Sequence, residues 1–146
     1  METPVSKGFD FHMPTRIVFG DGSLSKLGDI ISDKKSSGAR IFLVTGKTSL
    51  KSQGVLGRIT DYLKDHQVTH FDGALPFPSP KLVDEAVELC RKSEPDIVVS
   101  VGGGSALDLG KLVAILLNND GTSLEYGQGQ RKITNRGIPF IAVPTT

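Results

Sequence analysis

The chain has 146 residues, of which 38% are hydrophobic and 23% charged, proportions that suit one soluble domain with a hydrophobic core. Seventeen Lys and Arg against sixteen Asp and Glu leave a net charge of +1, which gives no general attraction to nucleic acid or to an anionic membrane. One cysteine, Cys90, excludes an internal disulfide, and neither the polar start Met1 to Lys7 nor the short apolar run Leu112 to Leu117 suits a signal peptide or a membrane span, so the expectation is a cytoplasmic protein.

The spacing of apolar residues alternates along the chain between strand-like and helix-like periods. Met1 to Thr15 reads as an irregular lead-in, and Arg16 to Phe19 as a short strand. Ser23 suits the cap of a helix reaching about Asp33, with Leu24, Leu27, Ile30 and Ile31 on one face. Ile41 to Val44 is a continuous apolar run, the pattern of a strand buried on both faces of a parallel sheet. After a polar loop, Gly54 to Asp65 reads as a helix and Val68 to Phe71 as the next strand. Asp72 to Pro80 is a turn-rich loop with three prolines, and Leu82 to Lys92 is a helix burying Leu82, Val83, Ala86, Val87 and Cys90.

Ile97 to Val101 is the most strand-like run of all, and three glycines follow it directly. Ser105 to Leu117 reads as a helix, Asn118 to Gly137 as a long polar connection, and Ile138 to Val143 as a last strand. The alternation of strands and helices predicts an α/β, Rossmann-like doubly wound fold. Its sheet is mainly parallel, with helices on both faces. The whole of 1–146 is expected to be one dinucleotide-binding domain.

The strongest local signal is the buried strand, then Gly102, Gly103, Gly104 and Ser105, then a helix. A helix start presents unpaired N–H groups and partial positive charge, which suit phosphate oxygens. Glycine removes the Cβ that would hold a pyrophosphate away from the backbone. One glycine would suffice for a tight turn, so three favour a ligand. Asp108, one turn into the helix, is placed to accept a hydrogen bond from the loop, with Lys111 a further turn along. The spacing matches neither G-x-G-x-x-G nor the Walker pattern.

Gly102 to Lys111 reads GGGSALDLGK, which resembles the G-G-G-S-x-x-D-x-x-K signature of the iron-type (group III) alcohol dehydrogenases. Pro14 to Gly22, the Phe71-Asp72-Gly73 and Pro78-Ser79 loop, and Pro139 to Thr146 with its P-T-T ending resemble further segments of that family, in the family's order. The resemblance implies NAD(P)-dependent hydride transfer between an alcohol or aldehyde and a nicotinamide cofactor. It implies pyrophosphate contacts from Gly103, Gly104 and Ser105, a loop-holding and cofactor-contacting Asp108, and closure over the cofactor by Thr145 and Thr146. Glycerol dehydrogenases, maleylacetate reductases and dehydroquinate synthases share the fold, but the serine and the P-T-T ending fit the iron-type enzymes best.

Two departures from the family matter. The family's V-T-D-K is Val44-Thr45-Gly46-Lys47 here. An acid at position 46 would bind the adenosine ribose and repel a 2′-phosphate. With Gly46 there, and Lys47 and Lys51 nearby, NADP is expected to be tolerated or preferred; the alternative is that both lysines are solvated surface residues. The second departure is that the family's metal ligands, one aspartate and three histidines, belong to a helical domain that follows. None is expected within 1–146, so Fe2+ or Zn2+ is expected only with that domain, and this chain alone is not expected to turn over. His12, His66 and His70 lack the helical i, i+4 spacing of a preformed metal site. The family is commonly dimeric, with its N-terminal strands near the subunit contact, so a homodimer is expected. The competing reading is a stand-alone nucleotide-binding or dimer-interaction module without catalysis.

Overall fold

Two apolar runs form the middle of the sheet and carry its architecture. The computed structural model describes residues 8, 10–35 and 38–145. After a single 3-10 turn at Ser23–Lys26, the elements are α1 (Leu27–Ser32), β1 (Arg40–Gly46), α2 (Ser49–Ser52), α3 (Val55–Tyr62), β2 (Gln67–Ala74), α4 (Pro80–Ser93), β3 (Ile97–Gly102), α5 (Gly104–Leu116), α6 (Ser123–Gly127) and β4 (Phe140–Pro144). The strands pair in the order β2-β1-β3-β4, and every pair is parallel. The expected parallel α/β layout is therefore present.

Alternation along the central strands divides the core between two faces. Phe42, Val44 and Val98 point to the face covered by α4 and α5, where they meet Val83, Ala86, Val87, Cys90, Leu109 and Val113. Ile41, Leu43, Ile97, Val99 and Val101 point to the other face, against Leu27, Ile31, Leu50, Ile59 and Leu63. Both central strands are buried on both sides, which is why they read as unbroken apolar runs.

Arg16 to Phe19 is not a strand. Its residues pair with no strand of the described sheet, and Ile17 and Phe19 are 68% and 98% exposed. β-branched residues favour extended backbone, but a strand also needs a neighbour to hydrogen-bond. Ser23 does not cap a helix either. Gly22, in the left-handed region at φ 71°, occupies the N-cap, no side chain caps the turn, and Ser25 Oγ donates to the Gly22 carbonyl at 2.9 Å.

The stretch read as a long polar connection, 118–137, contains α6. Thr122 and Glu125 cap it reciprocally, through Glu125 N to Thr122 Oγ1 and Thr122 N to Glu125 Oε2. α4 begins earlier than expected because Pro80 is accepted at the first helical position and Ser79 Oγ accepts from Leu82 N.

Candidate functional site: the glycine loop at the carboxyl edge of the sheet

In a parallel sheet all strands end at one edge. The chain leaves β1 for β2 on one side, then crosses to β3 on the other, so the connections diverge between β1 and β3. A crevice outside the strand ends at such a switch point is where open α/β sheets bind ligands. Thr45 pairs with Val101, which sets Gly46 beside Gly102 at that edge.

Gly102 closes β3 at φ 150°, a backbone conformation that L side chains rarely adopt. A Cβ there would lie 2.9 Å from Ala106 Cβ. Gly103 is the N-cap of α5 in extended conformation, and no side chain caps the helix. Gly104 is exposed, and a Cβ on it would meet nothing within 4 Å. Ser105 is half-buried in the first turn. A 13-residue helix thus presents an uncapped N-terminus to solvent across a glycine whose missing Cβ leaves open space. That arrangement fits the pyrophosphate of a dinucleotide.

The loop is held from below and from the side. Ser100, fully buried beneath α5, donates from Oγ to the Ala106 carbonyl at 2.6 Å and ties the first turn of the helix to the strand. Gly110 lets α5 approach that closely, since a Cβ on it would lie 2.6 Å from Ser100 Cβ and 3.0 Å from Phe140 Cε2. On the other flank, Gly102 pairs with Pro144, and Thr145 N donates to the Gly102 carbonyl at 3.1 Å. Thr145 is exposed beside the loop, and Thr146 lies outside the described residues.

Asp108 points elsewhere than expected. Its Oδ1 accepts from Lys111 Nζ at 3.1 Å on the exposed face of α5, rather than bonding to the loop. Sequence reasoning missed Ser100 and the packing role of Gly110. A serine inside an otherwise apolar buried strand, ten residues before a helix glycine, was the available signal.

At the β1 end, Thr45 Oγ1 and His70 Nε2 are 2.8 Å apart, and Lys51 Nζ donates to Asp72 Oδ2 at 2.9 Å. Burial lowers the His70 pKa; Asp72 opposes that shift and Lys51 adds to it. The hydrogen bond from Lys51, and then its charge, hold the Asp72 carboxyl below its usual range. Cys90 is buried in the core, and burial pushes its thiol up to about 12, so it is an inert packing residue at neutral pH. Among the described residues, no group of three or more His, Cys, Asp or Glu side chains is placed to hold a metal ion. No helix among them is long and apolar enough to cross a membrane.

Fold and site together define a parallel α/β domain of Rossmann-like type, with a glycine loop and an uncapped helix start at its switch point. The family model described as iron-containing alcohol dehydrogenase matches residues 14–146, and the chain belongs to that family. It is 32% identical over 139 residues to NADH-dependent butanol dehydrogenase A of Clostridium acetobutylicum, covering 94% of this chain and 35% of that protein. It is 37% identical over 110 residues to the NADPH-dependent aldehyde reductase YqhD of Escherichia coli, covering 75% of this chain and 27% of that protein. The crystal structure of NADH-dependent butanol dehydrogenase A from Thermotoga maritima superposes with a TM-score of 0.86 at 34% identity, over 95% of this chain and 35% of that one. The chain therefore spans about a third of the length of these relatives and covers the N-terminal domain of the family fold. The described residues do not fit the iron in the family's description.

Proposed function

We propose that this chain binds the nicotinamide dinucleotide of an NAD(P)-dependent alcohol dehydrogenase. The observation that carries this reading is the uncapped start of α5 behind Gly102 to Ser105 at the β1/β3 switch point. Backbone N–H groups at Gly103 to Ser105 and the Ser105 hydroxyl would hold the pyrophosphate, and Thr145 and Thr146 would close over it. Asp108 would reach the dinucleotide by giving up its bond to Lys111. When bound, the nicotinamide would supply the hydride acceptor or donor for an alcohol or aldehyde, and the residues of the glycine loop would orient it.

Gly46 carries no carboxylate to repel a 2′-phosphate, which supports acceptance of NADP as well as NAD. We place the protein in the cytoplasm, as its single, buried, unreactive cysteine supports. We further read it as a homodimer. The extended segment before α1 exposes Phe11, Met13, Ile17 and Phe19, apolar surface that self-association would cover.

Titration of the protein with NADH and NADPH, followed by nicotinamide fluorescence, tests the reading. Saturable binding that ADP-ribose displaces is the expected result; no saturable binding of either dinucleotide would overturn it.

A further inference from the structure

The β1–β2 register shifts at the carboxyl edge. Val44 pairs with Phe71 and Gly46 with Ala74, so β2 carries one more residue than β1 across this step, at Asp72-Gly73. Bulges of this kind re-aim a side chain. The carboxylate of Asp72 meets Lys51 of α2, the short helix that follows Gly46, at 2.9 Å. Both side chains remain about half exposed, so the pair faces solvent at the same edge as Gly46.

We infer that Asp72 is a specificity-determining residue for the cofactor, acting through Lys51: it neutralises the lysine on the helix that follows Gly46 and so restrains the binding of a dinucleotide that carries a 2′-phosphate. This rests on the dinucleotide reading above. Lys51 alone would attract the two or so negative charges of a 2′-phosphate, whereas Lys51 with Asp72 presents a pair of nearly zero net charge. A dinucleotide without that phosphate does not meet this effect.

The test compares NADPH and NADH dissociation constants for the unsubstituted protein, Asp72→Asn, Asp72→Glu, Lys51→Met and the Asp72→Asn/Lys51→Met double variant. Removing the carboxylate should tighten NADPH about five-fold at about 50 mM salt and leave NADH within about two-fold, with the gain shrinking as salt is raised. Asp72→Glu should keep the unsubstituted ratio, and the double variant should lose most of the gain. A merely structural salt bridge would change the melting temperature and move both dinucleotides together. An unchanged NADPH-to-NADH ratio in Asp72→Asn, with both still binding, would overturn the inference while leaving the dinucleotide reading intact. A gain that persists without Lys51 would overturn the route through the lysine. Failure of the unsubstituted protein to bind either dinucleotide would overturn both.

Discussion

Gly110 and Ser100 face one another across the α5–β3 contact, so close that a Cβ on the glycine would stand 2.6 Å from that of the serine. The contact sets the height of α5 above the sheet and therefore the height of the glycine loop. Gly110→Ala gains helix propensity of about 1 kcal/mol but overpacks a rigid contact at a typical cost of about 1–3 kcal/mol. The clash with Ser100 and Phe140 wins, because both belong to the sheet and neither is the end of a flexible chain. The expected result is a lower melting temperature and weaker dinucleotide binding in the same variant.

Ser100→Ala keeps the volume nearly constant and removes the bond to the Ala106 carbonyl. The expected loss is about 1 kcal/mol of unfolding free energy, measured by denaturant titration. An unchanged transition midpoint would mean that the serine is tolerated under the helix rather than holding it.

Gly102→Ala forces a side chain into a φ of 150° and towards Ala106 Cβ at 2.9 Å. A destabilisation of about 1–3 kcal/mol is expected, again read from denaturant titration.

Asp96 joins the starts of β1 and β3 at the edge opposite the glycine loop. Its carboxylate accepts from Arg40 N at 2.8 Å and lies 2.6 Å from Lys35 Nζ. The Lys35 hydrogen bond, then the Arg40 backbone bond, lower its pKa to about 2. A carboxyl whose folded pKa is depressed stabilises the protein above its unfolded pKa, and that stability drains away as pH falls through the folded value. Stability should therefore fall between about pH 4 and pH 2, by about 1–2 kcal/mol from this group. Asp96→Asn should be destabilised at neutral pH and show a shallower acid slope over that window.

Much of the frame was legible in the sequence, for reasons visible residue by residue. Ile41 to Val44 and Ile97 to Val101 are buried on both faces, so their hydrophobicity alone marks them as central parallel strands. The glycine loop was legible because a backbone that must be bare at a helix start can only be written with glycine. Arg16 to Phe19 misled because local composition reports extended preference and says nothing of a partner strand. α6 was written in the spacing of Thr122 and Glu125, inside a stretch otherwise too polar and glycine-rich to read as helix. Asp108 pairs along the helix with Lys111 because an i, i+3 partner of opposite charge lies within reach on the same face. His70 with Thr45 and Asp72 with Lys51 are contacts created by folding that no local pattern announces, whereas Ser100 with Ala106 left the trace of a serine inside an apolar strand.

The central claim is that the bare backbone at the start of α5 is the cofactor's seat, and Gly104→Ala tests it most directly. A Cβ at that position meets no protein atom within 4 Å, so folding stability should be unchanged or slightly higher. The same methyl would stand where the pyrophosphate must approach the backbone. Weakening of at least about tenfold in NADH and NADPH affinity is expected, the loss of roughly one charge-assisted hydrogen bond. Unchanged affinity for both dinucleotides in a stably folded Gly104→Ala protein would contradict the account.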